Sequence, residues 1–436
     1  MKAKSTYSIR EYGYLLDGPN HGASSNAVGI PKSAFKHLLC LIQDDSRDHD
    51  FAPFLKLTTF KRITALKVQN YVGVLQTPCG TQIEVLPKIY LSDGTESAET
   101  TRNQFIIMLR CLRESPFKQA NNADIRDTTM PLLEVYISQF LSLTNQLIKR
   151  GIRSDYVREQ KNAKFLKGRL LVSKQIRSNF LHPERFSIEC DEYLVNRPAN
   201  RLIKTTLALV GRITKSAKNQ RLARELGFVF EEVPTSTDIR TDFQKVKTGR
   251  SMNYYQNVLA WCRLLLNGNG PTASTGDFNT LSLLYPMERI FEDYVAHCLR
   301  PKLDDHFDAS CTLKTQAAKH SLVEEHDGKA IFKLKPDLLV LNGKQIVCVM
   351  DTKWKLLDSS DRGNKYGISQ ADMYQLYAYG HKYLKGEGQK KLMLIYPKTD
   401  KFKEPLPVFQ YEDGFTLTAI PFDLELGALV ASNSKI

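Results

Sequence analysis

Two acidic residues and a lysine stand close together near the C-terminal end of the chain. Asp337 lies near the start of one apolar stretch, Asp351 lies near the end of the next, and Lys353 follows two residues later. Carboxylate oxygens are preferred ligands of Mg²⁺, and a lysine can offset the charge that builds up on a phosphate in a transition state. This set suits a magnesium-dependent phosphodiesterase, although an exposed strand end without chemistry could use the same residues.

The two apolar stretches are predicted to form a β-hairpin that turns at Asn342-Gly343, a dipeptide that favours tight turns. Side chains alternate between the two faces of a strand, so a regular two-residue turn would place Asp337 and Asp351 on opposite faces. A three-residue turn, a bulge or an equivalent irregularity would return both carboxylates to one face. A metal site on this hairpin therefore requires an irregular register.

Two predicted helices flank the hairpin, and each carries a pair of polar residues four positions apart. The first helix contains Glu288 and Glu292, and the second contains Gln375 and Tyr379. Residues at this spacing share a helix face, so either glutamate could reach the end of the sheet, although solvated helix acids are the simpler account. A last apolar strand, residues 391–398, is predicted beside the hairpin. The order is that of a small α/β core.

The whole chain has the composition of a soluble globular protein. Its 436 residues are 42% hydrophobic and 25% charged, and no apolar run approaches the ~20 residues that span a membrane. The N-terminal residues lack the apolar core of a secretory signal, and the eight cysteines include no C-x-x-C pair. We therefore expect a cytoplasmic protein with reduced thiols and no membrane partner. A formal charge of +14 favours a polyanionic partner.

Changes in sequence pattern divide the chain into three predicted regions. Residues 1–125 form a β-rich N-terminal region, and residues 126–275 form a mostly helical and basic middle region. Residues 276–436 form the α/β core that contains the hairpin. The predicted fold class is therefore a multidomain combination of α+β and α/β structure.

The end of the N-terminal region alternates apolar and polar residues over residues 57–86, which predicts a β-meander. The alternation stops at Pro87, which cannot donate a hydrogen bond to a neighbouring strand. We interpret Glu84 and Lys88, on either side of this proline, as an exposed pair at a strand end.

The most basic part of the chain is residues 149–177, which contain ten Lys and Arg residues and only two acidic residues. Such a stretch can bind the phosphate backbone of DNA without sequence preference, contact an acidic protein partner, or be a solvated surface. The candidate DNA-binding or partner-binding residues are Arg158, Lys161, Lys164, Lys167 and Arg169.

The acidic residues and their order resemble a known nuclease motif. Pro336-Asp337 followed by Asp351-Thr352-Lys353 resembles the PD-(D/E)XK motif, and Phe291-Glu292 stands where the glutamate of the first helix belongs. Residues 375–379 resemble the QxxxY motif of the RecB-like branch of that superfamily. This resemblance implies a restriction-endonuclease-like α/β core in residues 276–436.

Stretches outside the core resemble the McrC family, the nuclease subunits of McrBC-type systems that restrict DNA with modified cytosines. The similarity runs from about residue 55 to the end of the chain. The stretches that carry it are residues 71–74, 83–88, 167–170 and 200–204.

The family resemblance implies roles for the residues of the hairpin and the first helix. Asp337, Asp351 and Glu292 are expected to bind Mg²⁺, with Mn²⁺ as an alternative, and Lys353 is expected to stabilise the transition state. The expected reaction is cleavage of methylated, foreign double-stranded DNA. Spacing alone leaves open whether Glu288 or Glu292 is the helix carboxylate.

The resemblance also implies a partner. Subunits of this family work with a hexameric, McrB-like AAA+ GTPase, whose central pore receives the N-terminal part of the subunit. This chain contains no G-x-x-x-x-G-K-[ST] loop, so we expect it to bind no nucleotide. Gln375 and Tyr379 are expected to orient DNA or groups of the active site.

Two other functions are compatible with the sequence. One is a non-catalytic adaptor that activates the motor and carries a degenerate nuclease fold. The other is a RecB-like nuclease that acts alone in DNA repair. The complete acidic and lysine set argues against the adaptor, and the McrC-like N-terminal stretches argue against the repair enzyme.

Overall fold

The computed structural model describes residues 6–18, 26–43, 54–89, 98–113, 116–119, 130–246, 249, 252–267, 281–385 and 390–430. The chain forms two compact units, Met1–Ala120 together with Asn269–Ile436, and Asn121–Gly268. Residues of the predicted N-terminal and C-terminal regions thus share one unit, a grouping that the sequence did not predict. Across the described ranges, no helix combines the length and the apolar composition needed to span a bilayer.

The first part of the discontinuous unit consists mainly of strands. Its elements are β1 (Thr6–Arg10), β2 (Tyr14–Asp17), β3 (Ala27–Ile30), α1 (Lys32–Gln43), β4 (Leu55–Phe60), β5 (Ile63–Val68), β6 (Tyr71–Gln76), β7 (Gln82–Leu86), α2 (Ala98–Cys111) and a 3₁₀ turn (Pro116–Gln119). Strands β3, β2, β5 and β4 form one sheet in that order. Strands β6 and β7 pair with each other in another sheet.

The prediction of a single β-meander over residues 57–86 is therefore wrong. Its first two strands and its last two strands form antiparallel pairs, but the two pairs belong to different sheets. The chain turns sharply at Gln69, where the N–H of Tyr71 donates to the Gln69 carbonyl at 2.8 Å. This turn separates β5 from β6.

Glu84 is buried, contrary to the interpretation of an exposed strand end. It lies in β7, an interior strand that pairs with β1 on one side and β6 on the other. Only 1% of Glu84 is exposed. Its carboxylate accepts hydrogen bonds from the Arg102 guanidinium at 2.7 and 2.8 Å and from the Ser8 hydroxyl at 2.9 Å. Because helix α2 supplies this arginine from a distant part of the sequence, the alternating pattern could not reveal the burial.

The middle unit combines helices with a small sheet. Its elements are α3 (Leu132–Arg150), β8 (Asp155–Ala163), β9 (Arg169–Leu170), α4 (Val172–Ser178), β10 (Phe186–Leu194), α5 (Pro198–Ile213), α6 (Ala217–Val229), α7 (Ile239–Lys245) and α8 (Asn253–Asn267). Strand β10 pairs antiparallel with both β8 and β9. Helices α3, α5, α6 and α8 pack together, and their core includes the fully buried Tyr136, Phe140 and Trp261.

The second part of the discontinuous unit contains the hairpin. Its elements are β11 (Leu281–Pro286), α9 (Met287–Leu299), a 3₁₀ turn (Arg300–Asp305), β12 (Cys311–Thr315), β13 (His320–His326), β14 (Lys329–Leu334), β15 (Leu338–Asn342), β16 (Gln345–Thr352), a 3₁₀ turn (Lys365–Gly367), α10 (Gln370–Tyr383), β17 (Lys390–Pro397), β18 (Phe409–Gln410), β19 (Phe415–Asp423) and β20 (Ala428–Leu429). Strand β11 pairs with β6 and so completes the sheet β1-β7-β6-β11. The mixed α/β multidomain fold class is confirmed.

The hairpin strands belong to a mixed sheet of order β12-β15-β16-β17-β19-β18. Strand β17 pairs in parallel with β16, which confirms the prediction that a last apolar strand lies beside the hairpin. One face of this sheet packs against α10, and the core between them includes Leu339, Val349, Leu376 and Leu392. All eight cysteines are free, as expected for reduced thiols.

The turn of the hairpin lies one residue beyond its predicted position. Asn342 pairs with Gln345, so the two turn residues are Gly343 and Lys344. Gly343 has a φ of +59°, a left-handed backbone conformation that glycine adopts at little cost. The Asn-Gly dipeptide thus does mark the turn, but Asn342 ends the strand.

The register of the hairpin is irregular, as a metal site at its end requires. A register shift occurs after the turn, where Val347 is an extra residue between two paired positions of β16. Beyond this bulge Leu338 pairs with Met350, so Asp337 and Asp351, one step further along the ladder, share a face. The irregular register that a metal site on this hairpin would need is therefore present.

Candidate active site

Asp337 is fixed by hydrogen bonds to the end of strand β16. Its Oδ2 atom accepts from the backbone N–H of Thr352 at 2.8 Å and from the Thr352 hydroxyl at 2.7 Å. Burial raises the pKa of the Asp337 carboxyl, while these bonds and the positive charge of Lys353 act to lower it. Because Oδ2 is used in this way, Oδ1 is the atom that can face a ligand.

Asp351 is a buried carboxylate that is held against an ammonium group. Its side chain is 3% exposed, and the Nζ atom of Lys353 lies 2.6 Å from its Oδ2 atom. Burial, and after it the negative charge of Asp337, raises the pKa of Asp351 to about 7. Lys353 offsets these effects only in part. The two aspartates therefore repel each other across a site with little water, and a cation between them would relieve that repulsion.

Glu292, on helix α9, faces the same site. Its Oε1 atom accepts a hydrogen bond from Gln316 Nε2 at 3.1 Å and lies 3.5 Å from the Arg113 guanidinium. Burial, followed by the negative charges of Asp337 and Asp293, raises the pKa of Glu292 to about 7. Gln316 has a φ of +46°, a strained conformation of the kind that occurs at functional sites.

The other helix glutamate, Glu288, lies in a different environment. Its negative charge acts on Glu11, Tyr12 and Tyr71, and it raises the pKa of each of these groups after burial has done so. Of the two glutamates that the sequence left open, Glu292 is the one beside the aspartates.

Gln375 and Tyr379 connect Lys353 to the start of the hairpin. Lys353 Nζ donates to Gln375 Oε1 at 3.0 Å, and Gln375 Nε2 donates to the Tyr379 hydroxyl at 2.7 Å. The Tyr379 hydroxyl in turn donates to the Lys335 carbonyl at 3.3 Å. The four-residue spacing places both side chains on one face of α10. Their contacts position the lysine ammonium.

One buried acid near the lysine was missed in the sequence. Asp372 lies in the first turn of α10, is 6% exposed, and contacts Lys355 Nζ at 2.7 Å. Its Oδ1 atom is 3.9 Å from Lys353 Nζ. Asp372 is three residues before Gln375, a spacing that puts both on one helix face and could have identified it.

The donor set fits a hard divalent cation of the Mg²⁺ type. Sites for Mg²⁺ use one or two protein carboxylates and complete the shell with water and substrate phosphate oxygens. Asp337 and Asp351 can supply that pair, and Glu292 lies close enough to Asp337 for its pKa to respond. Within the described ranges, no three His, Cys, Asp or Glu side chains form a ready-made metal cluster. The fit is therefore to an open, two-carboxylate site.

The basic candidates lie in the middle unit, on and next to strand β8. Arg158 pairs with Asp191 of the neighbouring strand at 3.4 Å, and both side chains are exposed. Lys161 is half-buried, whereas Lys164, Lys167 and Arg169 are exposed.

Apolar side chains are exposed along the same stretch, a feature that the sequence pattern does not predict. We call these residues, together with the basic candidates, the β8–α4 surface. Its exposed apolar residues are Phe165, Leu166, Val172, Ile176, Phe180 and Leu181.

Fold and site together define a mixed α/β multidomain protein with a buried carboxylate–lysine cluster at the end of a mixed sheet. A family model described as "McrBC 5-methylcytosine restriction system component" matches residues 66–397. This match covers well over half of the chain, and the chain belongs to the McrBC family. The resemblance identified in the sequence is thereby confirmed.

The chain is also similar to proteins of known identity. The chain is 24% identical over 267 residues to the type IV methyl-directed restriction enzyme EcoKMcrBC of Escherichia coli K12, over 58% of this chain and 74% of that protein. Its fold matches a chain from Thermococcus gammatolerans McrB AAA+ hexamers with bound McrC, with a TM-score of 0.67, 19% identity, and coverage of 97% of this chain and 96% of that one. A cryo-EM structure of the same organism's McrBC complex matches 68% of this chain and 88% of that one, with a TM-score of 0.49 and 20% identity.

Proposed function

We propose that the chain is the magnesium-dependent DNA endonuclease subunit of a GTP-driven McrBC-type restriction complex that cleaves methylated foreign DNA. The observation that carries this proposal is the bulge in the hairpin, which brings Asp337 and Asp351 to one face beside Lys353. A structural hairpin has no need for a buried and a half-buried carboxylate at one point, because their desolvation and mutual repulsion oppose folding. That arrangement supports the proposal of a PD-(D/E)XK core.

Each residue of the site has a proposed role. Asp337 and Asp351 would hold Mg²⁺, with Mn²⁺ as an alternative, and Glu292 would add a third carboxylate. The ion would supply charge stabilisation to the scissile phosphate and an activated water. Lys353 would donate to a phosphate oxygen as negative charge builds up on it, the electrostatic contribution that often dominates catalysis.

Gln375 and Tyr379 would act as positioning residues. Gln375 accepts a hydrogen bond from Lys353 at 3.0 Å and donates one to Tyr379 at 2.7 Å. This chain would keep the ammonium directed at the site when substrate replaces its contact with Asp351. Gln375 is exposed and could also contact the DNA.

The motor would be a separate subunit, an McrB-like hexameric AAA+ GTPase. The names of the relatives support this proposal, because one is a restriction enzyme and another is McrC bound to McrB AAA+ hexamers. The chain carries no phosphate-binding G-x-x-x-x-G-K-[ST] loop, so GTP hydrolysis would belong to the partner. Such a complex acts on DNA in the cytoplasm, where we place the protein.

We propose that the β8–α4 surface contacts the motor rather than DNA. A DNA-binding surface is mostly polar and basic, whereas this one exposes large apolar side chains: Phe180 and Leu181 are each 82% exposed. Apolar residues exposed together, with basic residues around them, are typical of a protein–protein interface. The basic residues would then meet acidic groups of the partner.

Reconstitution on methylated double-stranded DNA tests the proposed function. The purified chain, its motor partner, GTP and Mg²⁺ together should cleave, and Asp351→Ala should abolish cleavage while complex formation and stimulation of GTP hydrolysis survive. Unchanged cleavage by Asp351→Ala would refute the site. Robust cleavage by the chain alone would favour the repair nuclease, and stimulation without cleavage by the wild type would favour the adaptor.

The motor interface has its own test. Phe180→Asp should weaken complex formation by tenfold or more, because it places a charge in an apolar contact. Phe228→Asp is the matched control, since Phe228 is 72% exposed in helix α6 of the same unit. If Phe180→Asp weakens DNA binding but leaves the motor complex intact, the surface belongs to DNA.

A further inference from the structure

A second concave site lies near the proposed cleavage site. It is a pocket of about 260 Å³ whose lining includes Glu11, Tyr12, Lys88, Trp354 and Lys355. Pockets that hold drug-sized ligands span ~300–1,000 Å³, so this one is the size for a smaller group, such as a single heterocycle. None of these residues has a role in the proposed cleavage reaction.

Glu11 gives the pocket an unsatisfied acceptor. The residue is fully buried, and its Oε1 atom accepts from Trp354 Nε1 at 2.8 Å and from the Lys88 backbone N–H at 2.7 Å. Its Oε2 atom is buried and has no hydrogen-bond partner. A buried acceptor without a partner is unfavourable. A ligand N–H group that enters the pocket would satisfy it.

The other walls are aromatic and cationic. Trp354 lies against Phe291, with ring centroids 5.2 Å apart, so its indole is held rigidly. Tyr12 has a φ of +60° and is 37% exposed, and Lys88 Nζ is 5.6 Å from the centre of its ring. Aromatic rings with lysines around them are typical of sites that stack nucleobases and contact phosphates.

Lys355 connects the pocket to the cleavage site. Its ammonium contacts Asp372 at 2.7 Å, and Asp372 is 3.9 Å from the ammonium of Lys353. Trp354 stands between the two lysines in sequence. The pocket wall therefore includes Trp354 and Lys355, the two residues that follow the lysine proposed to contact the scissile phosphate.

We propose that this pocket receives one unstacked nucleobase of the DNA strand that is cleaved. Glu11 Oε2 accepts a hydrogen bond from the exocyclic amino group of cytosine or adenine, the ring lies against Trp354 and Tyr12, and Lys88 and Lys355 contact the flanking phosphates. The inference rests on the proposed function, because it places a substrate strand beside the nuclease site. It adds a preference for amino-bearing bases next to the cut.

Tryptophan fluorescence tests the pocket without requiring cleavage. The full chain is titrated in EDTA with single-stranded five-nucleotide DNAs made of dC, of dT, or of abasic residues. Of the two tryptophans, Trp261 is fully buried in the middle unit, so quenching by a stacked base reports on Trp354. We expect the dC strand to bind at least tenfold more tightly than the abasic strand and to quench the fluorescence of Trp354. Trp354→Phe should remove this signal.

Glu11→Gln supplies the decisive comparison. Glutamine keeps an oxygen for Trp354 and Lys88 but presents an amide donor to the pocket in place of Oε2. We expect the preference for dC over dT to fall about tenfold, the effect of losing one hydrogen bond. Glu404→Gln, an exposed carboxylate outside the pocket, should leave the preference unchanged.

Each result separates the pocket from the proposed nuclease activity. Equal binding of dC and abasic strands, quenching that survives Trp354→Phe, or an unchanged base preference in Glu11→Gln would overturn the pocket even if the reconstituted complex cleaves DNA. Base-dependent quenching that responds to Glu11→Gln would support the pocket even if the complex does not cleave.

Discussion

Replacing Asp351 with asparagine should stabilise the metal-free protein while abolishing cleavage. Burial and the neighbouring Asp337 raise the pKa of Asp351 from 3.8 to about 7. That difference of about three pKa units corresponds to ~4 kcal/mol that favours the protonated carboxyl. Asparagine is close to the protonated form in shape and has no charge to repel Asp337. It does weaken the contact with Lys353, at a cost of ~1–3 kcal/mol. We therefore expect a net gain of about 1–3 kcal/mol above pH 7.

The gain should depend on pH in a defined direction. The pKa of Asp351 in the folded state lies above its unfolded value, so the penalty of ionising this group in the native protein is complete above pH 7. This penalty fades as the pH falls from 7 towards 4, because Asp351 is then protonated in the native protein and, like asparagine, carries no charge. The stabilisation by Asp351→Asn should thus be largest near pH 8 and small near pH 5.

Thermal unfolding in EDTA at several pH values measures this effect. At pH 8 the midpoint of Asp351→Asn should exceed that of the wild type by about 2 °C or more. Mg²⁺ should raise the midpoint of the wild type and not that of the variant, since ligands stabilise the state that binds them. Asp304→Asn, at an exposed position, should change neither. A lower midpoint for Asp351→Asn at pH 8, or a difference independent of pH, would refute the reasoning.

Three further predictions concern other parts of the discontinuous unit. Tyr379→Phe removes the hydroxyl that orients the glutamine next to Lys353, and should slow single-turnover cleavage about tenfold with little effect on the unfolding midpoint. Glu84→Ala leaves the Arg102 side chain, which is only 12% exposed, without its carboxylate partner. It should cost ~3–5 kcal/mol in denaturant unfolding, part of which Arg102→Met should restore. Gly73→Ala should lower the free energy of unfolding by more than ~2 kcal/mol in the same assay. Gly73 has a φ of +134°, and an added Cβ would lie 2.0 Å from a carbonyl oxygen of β11. The control is Gly211→Ala, whose added Cβ meets no atom within 4 Å and which should not have this effect.

The candidate site was predictable because its residues are close in sequence. Asp337, Asp351 and Lys353 belong to one hairpin, and Gln375 and Tyr379 belong to one helical turn. Helix periodicity grouped the second pair, whereas the two aspartates were grouped by the resemblance to the PD-(D/E)XK motif, on the condition that the hairpin is irregular. Glu292 is supported by its position in the first helix. The neighbours that orient it, Gln316 and Arg113, come from distant segments and leave no local signal.

The grouping of the N-terminal and C-terminal segments was not predictable in this way. Strand β11 follows the middle unit in sequence, yet it pairs with β6 along its full length. Pairing between strands some 200 residues apart depends on the shapes of both folded segments, and neither strand carries a local pattern that identifies its partner. The same limit applies to Glu84, whose charge suggested a surface until the distant Arg102 was placed beside it.

The bulge in the hairpin illustrates what sequence reasoning could and could not establish. Alternation alone showed that a regular hairpin cannot bring Asp337 and Asp351 to one face, so a functional site required an irregularity somewhere between them. The position of that irregularity at Val347 was not predictable, because β16 is apolar over most of its length and pairs with a strand on each side. Such a strand has no polar face against which a slip of one residue would be visible. A chemical requirement therefore predicted that the register is irregular, which the hydrophobic pattern could not do.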